Sequence, residues 1–325
     1  MILLLSASYD FNIDFVVEWL EHYQYPYLRI NADQLLTQQV YLSIQTNELI
    51  IDTNKILLDE IKVVWLNKFA GFSHSSFYLD TKDSIKSNIL NQLAYEFRTL
   101  TQTLISFLKD KKWLIPPHVW TVHKLDILRT AHSFQIKTPD SYIVSTKTDL
   151  YKLMELHTSL ISKSIYEMEF FREEDGTYSM FTTLIDKKEI DTFPDENFYP
   201  SLVQKNIEKL YEIRSYYLDG AFYSVAIFSQ NSQHTKVDSR KISFSQQSPR
   251  SVPYQLPKEL EDKMDRMLKH IGLNSCSLDF IRSKEDKEYY FLEVNPTGQY
   301  SIVADSCGYD LNQKIAQKLI EMDKN

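Results

Sequence analysis

Three oxygen-bearing side chains in the C-terminal part of the chain have the types and spacing to act together. They lie in SCSLDFIRSKEDKEYYFLEVNPTGQY, residues 275–300. Two apolar-rich runs, Ser275–Arg282 and Glu288–Val294, flank the polar stretch Ser283–Lys287, the pattern of two strands joined by a charged turn. A hairpin centred on Asp286 sets Asp279 directly opposite Glu293, with Cβ atoms ~4.5–5.5 Å apart. Asn295, two residues beyond Glu293, shares that face if the strand continues. Two carboxylates and an amide oxygen with nothing basic between them suit a hard divalent cation. Mg²⁺ takes one or two carboxylates and leaves its other positions to water and nucleotide phosphates. Spacing alone equally allows a partly solvated hairpin with ordinary surface acids.

Five further charged positions need an explanation. Lys163 falls in the middle of the apolar strand Leu160–Ile165, where an ammonium is expensive to bury without an anion unless the strand is an edge. Glu212 and Arg214 are two apart and share a strand face. There the guanidinium fork either binds an oxyanion bidentately or makes a cross-strand surface ion pair. Lys124, on a helix predicted over Thr121–Phe134, and Arg240, in the loop VDSRK at 237–241, would each by itself be a solvated charge.

The elements that must position these groups follow from periodicity. Ile2–Ser6 is a buried strand, residues 12–23 a helix capped by Asn12, and Tyr27–Asn31 a second strand, giving a β-α-β unit with a parallel pair. Residues 40–51 alternate around a Gln-Thr-Asn turn as a hairpin, and Val63–Leu66 is another buried strand. A long helix over 83–109 carries Ile85, Ile89, Leu93, Phe97, Leu100, Leu104 and Leu108 as its core stripe. Pro116-Pro117 is a rigid break and sets the first domain boundary. Beyond it come the strand Ser141–Ser145, a helix near 148–157, a hairpin loop at Glu173–Ser179, and two strands around the turn Leu218-Asp219-Gly220. A core helix over 257–271 and a closing helix over Ile315–Met322 complete the pattern.

Bulk composition excludes several classes. A chain of 325 residues, 43% hydrophobic and 25% charged, is an ordinary globular composition with room for two or three domains. The net charge of −8 argues against a nucleic-acid surface. The six glycines build neither GxGxxG nor GxxxxGK[ST], so Rossmann and P-loop nucleotide sites are disfavoured. Cys276 and Cys307 make neither a disulfide framework nor a zinc site, which favours a reducing, cytoplasmic setting. The opening MILLL has no basic n-region and is too short for a signal peptide or a membrane span.

The segment around Asp279, Glu293 and Asn295 resembles the metal-binding end of the ATP-grasp carboxylate–amine ligases, whose pattern is an Asp in one strand and Glu-x-Asn at the end of the next. The wording LEVNPTGQ is closer to the ATP-grasp enzymes that crosslink ribosomal peptides, the microviridin-type or graspetide ligases. The resemblance implies an α/β, ATP-grasp fold with an N-terminal α/β pre-ATP-grasp domain (1–118), a small central lobe (119–200) and a large C-terminal lobe (201–325). It implies Lys124 and Lys163 on the phosphates, and Gln204, Lys205 and Ile207 around adenine. Glu212 would hold the ribose, and Asp279, Glu293 and Asn295 would hold Mg²⁺. Arg214 and Arg240 would be the catalytic cations, facing phosphate or the substrate carboxylate. Thr182 and Thr183 would add hydroxyl contacts. The motifs span roughly 120–310, in the family's order. Three departures stand out: His123 precedes Lys124 where the family usually has Asn, Ser239 stands where an aromatic is common, and the 173–179 loop has only Gly176.

The implied reaction activates an Asp or Glu side chain of a ribosomally made precursor peptide as an acyl phosphate, with ATP and Mg²⁺. A Ser/Thr hydroxyl or Lys amine then displaces phosphate, leaving an ester or amide and ADP. The implied partner is that peptide, leader and core, with no nucleic acid, no membrane and, by analogy, a homodimer. Two other functions fit the same residues: an ATP-grasp ligase adding amino acids to a protein tail, and a non-catalytic nucleotide- or peptide-binding module. The metal triad and both arginines argue against the latter, since a binder has no need of them.

Overall fold

The run Ile2–Ser6 forms β1, buried along its whole length. It is central in a parallel sheet because no polar side chain interrupts it on either face. The structure, a computed structural model, describes residues 1–69, 71–166, 170–173, 176–179, 182–229, 249–297 and 300–325. Helix α1 (Phe11–His22) returns the chain to β2 (Tyr27–Asn31), which pairs in parallel with β1. Asp10, not Asn12, caps α1. Its carboxylate accepts the Asn12 amide at 3.3 Å, and Asn12 already lies in the first turn. After α2 (Gln34–Thr37), the expected hairpin of β3 (Val40–Ser43) and β4 (Glu48–Ile51) gains a third antiparallel strand, β5 (Asn54–Leu57). Strands β6 (Val63–Leu66) and β7 (Lys112–Trp113) complete the parallel sheet in the order β2-β1-β6-β7.

Between β6 and β7 run α3 (Ser76–Thr81) and α4 (Ser87–Phe107). The buried line of α4 is Leu90, Phe97 and Leu104, flanked by half-buried Leu93 and Leu100, while Ile89 is 48% exposed. The stripe thus runs one residue from where Ile89 would place it. Seven-residue steps from Leu90 keep one face of the helix on the sheet.

Helix α5 (Lys124–Ser133) begins at Lys124 itself, after a 3₁₀ turn over Pro117–Val119. Then follow β8 (Ser141–Thr146), α6 (Lys147–Leu156), β9 (Leu160–Lys163), the pair β10 (Phe170–Glu173) and β11 (Gly176–Ser179), β12 (Thr183–Leu184), α7 (Lys187–Asp191) and β13 (Asn197–Lys205). Four of these strands make a sheet in the order β12-β9-β13-β8, backed by a small core of Leu150, Leu160, Ile190 and Val203.

The last sheet is antiparallel, in the order β16-β15-β14-β17-β18. Strands β14 (Lys209–Leu218) and β15 (Ala221–Phe228) turn at Asp219-Gly220, where Gly220 has φ +94°. After β16 (Arg250–Tyr254), helix α8 (Lys258–Ile271) buries Met264, Met267 and Leu268. The hairpin of β17 (Ser275–Ser283) and β18 (Tyr289–Asn295) precedes α9 (Ser301–Cys307) and α10 (Leu311–Lys324). One hydrophobic core joins this sheet to the first: Leu4, Ile13 and Trp65 cluster with Leu278, Phe291 and Leu319. Tyr300 ties the same seam, its hydroxyl lying 3.1 Å from the Asn12 carbonyl and 2.8 Å from Asn312 Oδ1. Among the described residues no helix is long and apolar enough to cross a membrane.

The turn between β17 and β18 is held by Asp286, which accepts from the Glu288 amide (3.1 Å) and the Tyr290 hydroxyl (2.9 Å). Desolvation alone would raise its carboxyl, but bonds from Ser283, Glu288 and Tyr290, with Lys137 nearby, hold it down to about 2. A depressed acid contributes stability above its unfolded value of about 3.9, and that contribution is lost as pH falls toward 2. Asp286→Ala is expected to lower unfolding free energy by about 1 kcal/mol at neutral pH. In urea titrations the difference from the parent chain should shrink between pH 4 and pH 2. A pH-independent difference would mean that the carboxylate is not what holds the turn.

Candidate active site

The β17–β18 hairpin brings Asp279 opposite Glu293 and Asn295 opposite Ser277, as the spacing predicts. Nearer the turn the register steps by one: Phe280 faces Phe291, and Ile281 faces Tyr290. The extra residue is Leu292, a β-bulge of the kind that re-aims side chains beside functional sites. Its effect here is concrete. Phe291 goes into the core against Phe280, while Leu292 lines the same cleft as Ile281. Strict alternation along LEVN does not contain this step.

Arg214 on β14 lies directly across from Asp279 and forks onto it, Nε to Oδ1 at 2.7 Å and an Nη to Oδ2 at 2.9 Å. Lys124, the first residue of α5, places its ammonium 3.7 Å from Glu293 Oε2. Asn295 Nδ2 donates to Glu293 Oε1 at 3.4 Å. The face therefore holds an alternating cluster: Lys124, Glu293, Asp279, Arg214. Burial pushes the Asp279 carboxyl above its usual range. Arg214 pulls it back, and Glu293 and Glu212 push it up again. Asp279 in turn raises Arg214 further above its already high ordinary value. The Ser277 hydroxyl, next to Asn295 in the register, is buried and has no hydrogen-bond partner among the described residues.

Two carboxylates, an amide and an orphan hydroxyl are a hard-oxygen donor set that fits Mg²⁺ with phosphate. Each Asp279 oxygen gives one lone pair to Arg214 and keeps another. Among the described residues no group of three or more His, Cys, Asp or Glu could hold a metal ion. A Mg²⁺ held by so few protein oxygens would fill its remaining positions with ligand oxygens and water.

Beside these acids lies a narrow cleft of about 80 Å³ between the β12-β9-β13-β8 sheet and the last, antiparallel sheet. It brings together Lys163, Gln204, Lys205 and Ile207 of the predicted nucleotide residues, with Thr182, and its apolar walls are Ile161, Ile281 and Leu292. Gln204 is 1% exposed. Its Nε2 donates to Ser141 Oγ at 2.7 Å, while its Oε1 is buried with no partner among the described residues. The Ile207 amide donates to no acceptor among the described residues. An unused acceptor and an unused donor in a flat apolar slot suit the edge of a heteroaromatic base. Glu212 lies opposite Ile281 on β17 and so on the cleft side of the sheet.

Lys209 was missed by sequence reasoning. It lines the cleft and is paired with Glu212, and no periodic signal in QKNIEKLYEIR marks it out. Arg240 and the VDSRK loop lie outside the described residues, as does part of the Glu173–Ser179 loop. Thr183 is exposed. A larger cavity of about 460 Å³ opens between Phe72 and α4, but its only charged lining residue is Arg98 and it holds none of the predicted site residues.

No protein-family model and no curated protein matches the chain. Solved structures do. A Chryseobacterium gregarium RiPP-associated ATP-grasp ligase, in complex with ADP and a leader and core peptide, superposes with a TM-score of 0.84 at 22% identity, covering 98% of this chain and 96% of that one. The macrocyclase MdnC of Microcystis aeruginosa MRC, bound with precursor peptide MdnA, gives 0.81 at 22% identity over 98% and 99% of the chains. The chain has the ATP-grasp ligase fold. PsnB, an ATP-grasp ligase complexed with minimal precursor, Mg and ADP, gives 0.78 at 15% identity over 99% and 97%. The ATP-grasp fold thus accounts for the two facing sheets and for the cleft between them.

Removing one partner from the fork leaves a carboxylate that is 17% exposed beside a second acid. Arg214→Met is expected to destabilise the chain by about 3 kcal/mol, whereas Arg214→Met/Asp279→Leu should recover most of that loss. Urea denaturation of the two variants checks this. A double variant as unstable as the single one would show that the ion pair itself, not the unpaired charge, carries the effect.

Proposed function

We propose that this chain is an ATP-dependent, ADP-forming ligase that joins Asp or Glu side chains of a ribosomal precursor peptide to Ser/Thr hydroxyls or Lys amines. The observation that carries the reading is continuity. The cleft with its Gln204 acceptor reaches Ile281 and Leu292, which lie two residues and one residue along their strands from Asp279 and Glu293, and Glu212, opposite Ile281, and Arg214, opposite Asp279, share that sheet face. A nucleotide laid along that face has its base against Ile161, Ile281 and Leu292, its amino group on Gln204 and a ring nitrogen on the Ile207 amide. Lys205 borders the base, Glu212 takes the ribose, and Lys163 and Lys124 stand toward the phosphates.

Mg²⁺ held by Asp279, Glu293 and Asn295 would neutralise phosphate charge and orient the transferred group. The chain's own contribution is positioning and electrostatics. Arg214, fixed by Asp279, presents its remaining donors to phosphate or to the substrate carboxylate, and Arg240 is assigned the developing negative charge of acyl transfer. No protein nucleophile is required.

The peptide substrate is supported by the ligases of this fold, and the division into units 1–118, 119–200 and 201–325 and a homodimeric state are proposed by analogy with the family that the motifs resemble. Those named above were crystallised with leader and core or precursor peptides.

Mass spectrometry tests the reading with a precursor peptide rich in Glu/Asp and Thr/Ser/Lys, incubated with the chain, ATP and Mg²⁺. Loss of one water per crosslink with matching ADP release is expected. A gain of residues on the peptide would point instead to a tail-adding ligase, and an unchanged peptide with no ADP would refute ligation. Asp279→Ala and Glu293→Ala should remain folded by circular dichroism and lose turnover by at least about a thousandfold, the scale of losing a principal electrostatic group. Normal activity in a folded Asp279→Ala would remove the metal assignment.

A further inference from the structure

Lys209 is 6% exposed, an unusual state for an ammonium, and burial of this kind is tolerated when a carboxylate pairs with it. Its Nζ is paired with Glu212 Oε1, three residues along β14. In a regular strand residues three apart point to opposite faces. Here the register slips between Lys209 and Tyr211, so that Lys209 faces Ser283 while Glu212 faces Ile281. Ser283 and Ile281 are two apart on β17 and share the cleft face. The extra residue in β14 thus turns the ammonium onto the side where Glu212 lies. Ser229 Oγ donates to the same Oε1 at 3.2 Å. One carboxylate oxygen is therefore held from two directions, and among the described residues the other, Oε2, accepts no hydrogen bond.

We infer that Lys209 is a positioning residue: with Ser229 it clamps Oε1 so that Oε2 is presented, fixed in place, to the vicinal diol of a nucleotide ribose. This rests on the nucleotide reading of the cleft above. The charge balance gives the clamp a second effect. Glu212 is one of the charges felt by both Arg214 and Asp279. Without Lys209 the face would carry three carboxylates against Arg214 and Lys124. A Glu212 that moved toward Arg214 would no longer serve the sugar.

The test crosses a protein change with a ligand change and needs no turnover. ADP and 2′,3′-dideoxy-ADP are titrated calorimetrically, with Mg²⁺, into the parent chain, Lys209→Met and Lys209→Arg. The parent should prefer ADP by roughly tenfold or more, the worth of hydrogen bonds to a charged oxygen. Lys209→Met should reduce that preference to below about threefold, mainly by weakening ADP, while Lys209→Arg retains most of it. If Lys209→Met does not fold, Ser229→Ala removes the other donor, and the preference should fall by about threefold. The inference is overturned if the parent does not distinguish the two nucleotides. It is equally overturned if Lys209→Met weakens both alike, because a lysine that only stabilises the strand, or that touches phosphate, would act on both. Tight, discriminating ADP binding by a chain that crosslinks no peptide would sink the ligase reading alone and leave the role of Lys209 standing.

Discussion

An arginine fork across two neighbouring strands holds together the face on which the rest of the site is arranged. Asp279 and Glu293 stand opposite each other on an antiparallel pair. At ~5 Å and an effective dielectric near 20 their repulsion is about 3 kcal/mol, a large fraction of a domain's stability. Arg214 at 2.7 and 2.9 Å and Lys124 at 3.7 Å offset it. Lys209 does the same for Glu212. The face thus carries three acids and three bases, each acid with its own cation. A nucleotide's phosphates add negative charge and a divalent cation adds positive charge, so the two ligands favour each other's arrival. The pairing explains why so many charges can sit half-buried on one sheet face.

Two irregularities of register do the local aiming. The bulge at Leu292 sends Phe291 into the core and Leu292 into the cleft, and the slip before Tyr211 turns Lys209 toward Glu212. Both lie one or two residues from a group assigned to the ligand. Regular alternation would have given a tidier sheet, but Leu292 would leave the cleft wall and Glu212 would lose its counter-ion. The cost is one unpaired backbone position per bulge, and both fall where the ladder is easily interrupted: the step at Leu292 is in β18, the edge strand of its sheet, and the slip in β14 lies at the start of that strand.

Those irregularities also mark where the sequence stops being legible. The Asp279–Glu293 pairing was readable because a charged turn of defined length fixes the register of a hairpin, and the approach of Asn295 followed from period two. The N-terminal β-α-β unit was readable because Ile2–Ser6 is apolar without a break. Lys209 was not readable: its neighbours alternate as an ordinary strand, and only the slip reveals that it shares a face with Glu212. The Arg214–Asp279 contact was hidden for a different reason. It joins residues 65 apart in sequence, and which strand lies next to β14 is decided by how the whole sheet packs on α8. The cap at Asp10 and the one-residue shift of the α4 stripe are smaller cases, since amphipathic periodicity locates a helix face to within a residue or two. Gln204 was placed at the base through resemblance, and its buried, unpartnered Oε1 gives that placement a physical reason that sequence could not supply.

The central claim is that cleft and acid pair form one metal–nucleotide site. A crystal structure of the chain grown with ADP and Mn²⁺ in place of Mg²⁺, the metal located by its anomalous signal, tests it most directly. The account predicts a single metal peak between Asp279 and Glu293, with adenine between Ile161 and Leu292 and its amino group on Gln204. A metal bound elsewhere, or a nucleotide outside this cleft, would contradict it.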